Sequence, residues 1–153
     1  KKHIIPRLQD CIYDLEREGA DIILFICTGV FPEIFVSNKP LIYPQKILHS
    51  VVKNLINKGR LAVIIPDQDQ VIQLKNIWEE TGLEVEVVAA SPYGKEAELE
   101  EALSKLKGQD LDLIVMDCIG YTRKMKARVA CELNKPVILA RTLLARVIGE
   151  LLD

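Results

Sequence analysis

The sequence contains no Cys-x-x-Cys pair, and its four cysteines (Cys11, Cys27, Cys118 and Cys131) stand far apart. With only two histidines beside them, that spacing excludes the familiar zinc-binding patterns, so no metal site is expected. Paired disulfides are not expected either. The composition reads as that of a cytoplasmic protein, and its apolar content builds a core without covalent staples. No apolar run exceeds about eight residues, far short of the roughly 20 that cross a bilayer. No leader-like pattern opens the sequence as given. Acidic and basic residues nearly cancel, 22 against 20, and no Lys/Arg-rich run appears, so nothing marks a nucleic-acid partner. Internal repeats and low-complexity tracts are missing too.

What is present is a globular balance of 49% apolar and 27% charged residues over 153 positions. That length predicts one domain or two small lobes sharing a core. A chain of this size buries roughly 68–70% of the surface its unfolded form exposes. The chain opens with Lys-Lys-His, and its first periodic segment is a helix with no strand before it. The expectation is therefore a trimmed chain whose leading βα portion is absent.

Residues 4–18 space Ile5, Leu8, Ile12 and Leu15 as a helix stopped by Gly19, with Cys11 beside the stripe as a packing residue. The run from Ile22 to Ile26 suits a strand buried on both faces, as in parallel sheets. A connection over 28–42 follows, broken by Pro32 and Pro40, and Pro44 opens a helix whose apolar stripe ends at Gly59. Strands are then predicted at 61–65, 85–89, 113–116 and 137–139. Helices alternate with them: one capped by Asp67, one over 95–107, one over 122–133 capped by Thr122, and one closing the chain. This alternation predicts a three-layer α/β/α fold with a parallel sheet, built of Rossmann- or flavodoxin-like lobes. The expected division puts residues 60–140 in a second lobe, and 1–59 plus 141–153 in what remains of a first.

Open parallel sheets bind ligands at the carboxyl ends of their strands. Cys27 and Cys118 sit at two such ends, whereas Cys11 and Cys131 lie within helices. A thiol at the first turn of a helix feels the positive end of the macrodipole, which favours thiolate. Asp117 works against this, though alternation in a strand sends its side chain to the opposite face from Cys118. Two thiols on opposite sides of a carbon next to a carboxylate can exchange its proton, one as base and the other as acid. Candidate donors for the developing charge are the amides around Thr28-Gly29 and Ile119-Gly120, and Thr28 also offers a hydroxyl to a carboxylate. Tyr121 is a further candidate for lining the site. Each reading has a plain structural counterpart: a packed thiol, a turn hydroxyl, a tyrosine covering a core edge. His49 reads as a half-exposed helix residue, and Arg141 as solvated surface within reach of an anion. The apolar cluster Val30, Phe31, Ile34, Phe35 and Val36 reads equally as a lid or homo-oligomer contact through the 30–42 loop, or as a short extra helix.

Four segments together carry a resemblance: the strand followed by Cys-Thr-Gly, the lobe opening LAVIIPD, the strand followed by Asp-Cys-Ile-Gly-Tyr, and the tail KPVILARTLLARVIGELL. They resemble the AroM family and, more distantly, the aspartate/glutamate racemase superfamily. The resemblance implies two Rossmann-like lobes with a cleft between them, and one acid–base cysteine from each: Cys27 and Cys118. It also implies a substrate-carboxylate contact at Thr28 and no cofactor. Two positions depart from the superfamily pattern. Thr28-Gly29 stands where a polar pair such as Asn-Thr is usual, and Ile119 stands where threonine is usual. The function this implies is a cofactor-independent racemase or isomerase of a small carboxylate. The alternative is a non-catalytic protein binding a small anion or metabolite.

Overall fold

The computed structural model describes residues 4–152. Within it the chain divides into two compact units, one up to Gln45 and one from Lys46 onward. Leu48 and Val52 of the second helix share one core cluster with the larger sheet, and Leu143 of the last helix packs against it.

The first unit holds α1 (Ile5–Arg17), β1 (Ile23–Leu24) and β2 (Leu41–Ile42). Pro6 lies in the first turn of α1, where its missing N–H costs nothing. β1 and β2 pair in parallel, Ile23 with Leu41 and Leu24 with Ile42. The strand expected over 22–26 is thus cut to two residues, and Ile26 is 78% exposed. A second strand forms directly after Pro40, whose carbonyl accepts from the Ile23 amide at 3.0 Å.

The 30–42 connection forms no helix. Its aromatic residues turn inward: Phe31 stacks on Phe25 at 4.5 Å and Phe35 tilts against it at 5.4 Å. Its aliphatic residues Val30, Ile34 and Val36 stay exposed. Polar side chains of α1 tie the connection down. The Gln9 amide pairs both ways with the Val36 backbone (2.7 and 2.8 Å), and the Glu16 carboxylate accepts from the Ser37 hydroxyl and the Asn38 amide, both at 2.6 Å. Those donors hold the Glu16 carboxyl below the ordinary carboxylate range. Cys11 is exposed, not packed, because it lies off the stripe that buries Ile12.

The second unit takes most of α2 (Pro44–Leu55), then β3 (Arg60–Ile65), α3 (Val71–Glu79), β4 (Glu84–Ala89), α4 (Glu96–Leu106), β5 (Leu113–Met116), α5 (Arg123–Leu133), β6 (Val137–Leu139) and α6 (Ala140–Leu152). Asp67 accepts from the Asp69 amide and caps a 3-10 turn that leads into α3. The four strands are all parallel, in the order β4-β3-β5-β6. Alternation along them feeds two cores. Ala62, Ile64, Ile114 and Met116 face α4 and α5, while Leu61, Val63, Leu113 and Val115 face α2 and α3. Helices on both faces of a parallel sheet make the three-layer α/β/α arrangement expected from the sequence. Among the described residues no helix is long and apolar enough to cross a membrane.

Strand order reverses between β3 and β5: β3 passes through α3 to a neighbour on one side, β5 through α5 to a neighbour on the other. Their carboxyl ends flank the topological switch point, where open α/β sheets hold ligands. Leading into β3, Gly59 adopts φ +135°, and an added Cβ would fall on the Asp112 carboxylate that accepts from the Arg60 amide. Gly59→Ala is expected to lower unfolding stability by about 1–3 kcal/mol, from torsional strain and overpacking together, read as a shift in denaturant midpoint.

Candidate active site

The sheet's alternation continues past the end of β5 and separates Asp117 from Cys118. Asp117 falls on the α2/α3 face, 3% exposed, and accepts a hydrogen bond from the Trp78 indole at 2.9 Å. Cys118 falls on the other face, half-buried against the core beneath α4 and α5. The opposite-face expectation for this pair therefore holds. The Asp117 amide donates to the Ile64 carbonyl at 2.9 Å, so the thiol follows directly on the last ladder bond of β5 at the switch point.

Beyond Cys118 the chain turns tightly. The Gly120 amide donates to Cys118 Sγ at 3.3 Å, and the Tyr121 amide to the Cys118 carbonyl at 3.4 Å. A Cβ on Gly120 would sit 2.7 Å from Pro92 Cγ and 2.8 Å from the Tyr93 hydroxyl, so any larger residue must displace both side chains. Ile119 packs its side chain on the α2/α3 core. Arg141, in the first turn of α6, donates from Nε to the Ile119 carbonyl at 2.8 Å and from its guanidinium to the Gly120 carbonyl at 3.3 Å. It clamps the turn; it is not simply solvated surface.

The Tyr121 side chain is completely buried and its hydroxyl donates to the Ala90 carbonyl at 2.7 Å, so it anchors the turn to the end of β4. Burial raises its phenol pKa, with the neighbouring ionisable groups of Cys118 and Asp117 adding to the effect. Thr122 caps α5 by accepting from the Met125 amide, as expected.

The first unit repeats the local device. Cys27 is exposed beyond the end of β1, and the Gly29 amide donates to its Sγ at 3.3 Å. Thr28 between them is buried. Cys27-Thr28-Gly29 and Cys118-Ile119-Gly120 thus share an amide-to-sulfur bond two residues long beyond a strand end, although only the second also closes a backbone turn. Both glycine amides are aimed at sulfur. Cys131, like Cys11, is exposed on a helix.

His49 on α2 lies across the Trp78 ring at 4.0 Å between centroids, which extends the buried polar group behind Asp117. Burial holds its imidazole pKa below the ordinary 6.5, and the nearby charge of Glu80 opposes this without reversing it. The unfolded chain therefore takes up the proton first as pH falls. This contribution to stability is fully present above about pH 6.5 and is lost as pH drops from there toward the folded-state value. The depressed carboxyls of Glu16 and Glu101 act in the same direction, but in a lower window, below 4.5. His49→Gln is expected to flatten the decline in denaturant midpoint just below pH 6.5 and to leave the more acidic loss in place.

The family model described as AroM protein matches residues 1–152. The chain belongs to the AroM family. No curated protein matches it. The family match spans both Cys-x-Gly segments, so each AroM-family unit described above contributes one cysteine that precedes an x-Gly pair at a strand end.

Proposed function

We propose that the chain is a cofactor-independent racemase or isomerase of a small carboxylate, with Cys27 and Cys118 as its two acid–base thiols. The observation that supports this reading is the recurrence of one device: a cysteine past the carboxyl end of a parallel strand, its sulfur accepting an amide N–H from the glycine two residues on. Such a donor binds a sulfur anion more strongly than a neutral thiol, because the bond becomes charge-assisted.

In the proposed reaction one thiolate removes the proton from the carbon next to the carboxylate. The C–H bond breaks, an S–H bond forms, and the electron pair spreads into the carboxylate. The other thiol then gives its proton to the opposite face of that carbon, leaving the two sulfurs with exchanged protonation states that solvent resets. Thr28 is the residue assigned to the substrate carboxylate. The chemistry requires both sulfurs to reach one carbon.

One observation favours the alternative, non-catalytic binding of a small anion: the two glycine amides are committed to sulfur and are lost as donors for a carbanion's charge. The test is incubation with separate enantiomers of small amino and hydroxy acids in heavy water, followed by NMR of the α-proton. Washout with inversion is the expected result. A Cys11→Ser/Cys131→Ser background supplies a second measurement, joining Cys27 to Cys118 with a short bifunctional alkylating reagent. Absence of exchange together with absence of the cross-link would end the two-thiol reading.

A further inference from the structure

α5 and α6 begin at the same edge of the sheet, each following the carboxyl end of one of two neighbouring parallel strands, β5 and β6. Neither helix has an acidic residue in its first turn, so the positive ends of both macrodipoles go unopposed there. Between the two helices lies a cavity of about 440 Å³, lined by Arg123 and Lys126 of α5, Thr142 and Arg146 of α6, and three alanines. Among the described residues, none of these three cations meets a carboxylate within salt-bridge reach. Arg128 on the same helix α5 contrasts with them, pairing with Glu132 at 2.7 Å and Glu96 at 3.0 Å.

Three cations thus line one groove, and Arg123, in the first turn of α5, stands against the dipole preference there. That arrangement favours entry of a multiply charged anion, with the N-termini of both helices adding to the attraction. A single carboxylate neutralises one of these three charges, whereas a phosphate dianion neutralises two and suits the planar fork of arginine. The cavity is also much larger than a phosphate ion, and its alanine side chains offer an apolar floor to an organic body.

We propose that the α5/α6 groove binds a small organic phosphate, with Arg123, Lys126 and Arg146 on the phosphate group and the carbon skeleton over the alanines. The site lies within the second unit and does not depend on the thiol chemistry proposed above.

The test is isothermal titration of the whole chain with ribose 5-phosphate. Binding is expected, with a dissociation constant at least tenfold weaker in the Arg123→Gln/Arg146→Gln variant and unchanged in Cys118→Ser. Both arginines are exposed, so the variant is expected to keep the wild-type melting profile, which the same preparation checks. Inorganic phosphate is expected to compete, and acetate at equal ionic strength is not. No binding at millimolar ribose 5-phosphate, equal affinity in wild type and variant, or equal competition by acetate would each overturn the proposal. The last of these would reduce the groove to diffuse positive charge.

Discussion

Trp78→Phe is expected to lower unfolding stability by about 2–4 kcal/mol, more than a ring contraction alone would cost. Trp78 is completely buried, so the smaller ring leaves unfilled space between α3 and the sheet. The second part of the loss is polar. The indole N–H is a donor to the buried Asp117 carboxyl at 2.9 Å, and phenylalanine removes it while Asp117 stays in place. Losing one donor to a buried acid costs about 1–3 kcal/mol. The two parts separate in a double-mutant cycle. Asp117→Leu placed on the Trp78→Phe background removes both polar partners together, and is expected to recover at least about 1 kcal/mol relative to the sum of the single changes. Additive single changes would show that the 2.9 Å bond contributes nothing and that only volume matters. Trp78 is the single tryptophan of the chain, so the unfolding of its variant is followed by circular dichroism. His49 rests on the same ring, so the pH dependence assigned to it is expected to weaken in Trp78→Phe as well.

The second unit was legible in the sequence because its strands are buried on both faces and bounded by turn residues. The strands Leu113–Met116 and Val137–Leu139 coincide to the residue with the segments predicted at 113–116 and 137–139. The first unit was harder. Ile22 to Ile26 has the composition of a buried strand, yet the ladder covers Ile23 and Leu24 and ends with the Phe25 amide on the Ile42 carbonyl. The partner strand, Leu41–Ile42, is a two-residue segment hidden behind Pro40 in a connection without periodicity. Burial there is carried instead by aromatic contacts around Phe25, which no local pattern encodes.

The candidate site divides in the same way. Cys27 and Cys118 were found from their places at strand ends, and the Asp117–Cys118 separation followed from a period of two. The amide-to-sulfur bonds are local, two residues apart, and the Cys-x-Gly spacing was the available signal for them. The Tyr121 hydroxyl, by contrast, finds its acceptor at Ala90, and Arg141 finds the carbonyls of Ile119 and Gly120. Those partners come from neighbouring strands and helices, and strand order is what a single sequence withholds. The same ignorance concealed the switch point between β3 and β5, which gives the position of Cys118 its meaning.

If the two thiols divide acid and base duties, Cys27→Ser and Cys118→Ser are each expected to lower racemisation by at least about a thousandfold, and the two variants are expected to fail in different ways. Serine keeps the shape and the hydrogen-bonding capacity of the turn, but its hydroxyl does not ionise near neutral pH as a thiol can, so only the proton-transfer role is lost. A variant that keeps the base for one enantiomer still removes that enantiomer's α-proton. It is expected to exchange deuterium into one hand of the substrate without inverting it, and the other variant into the opposite hand. That mirror-image pattern separates a two-thiol mechanism from a structural requirement for sulfur, under which both variants lose exchange of both enantiomers alike. It also separates the mechanism from a binding protein, for which neither enantiomer exchanges in the wild type and anion affinity survives both substitutions. Cys131→Ser is the control for the readout, because its exposed sulfur lies within α5 and away from any strand end. Its exchange rates are expected to match the wild type for both hands, and a matching loss there would place the decisive sulfur chemistry outside the two Cys-x-Gly segments.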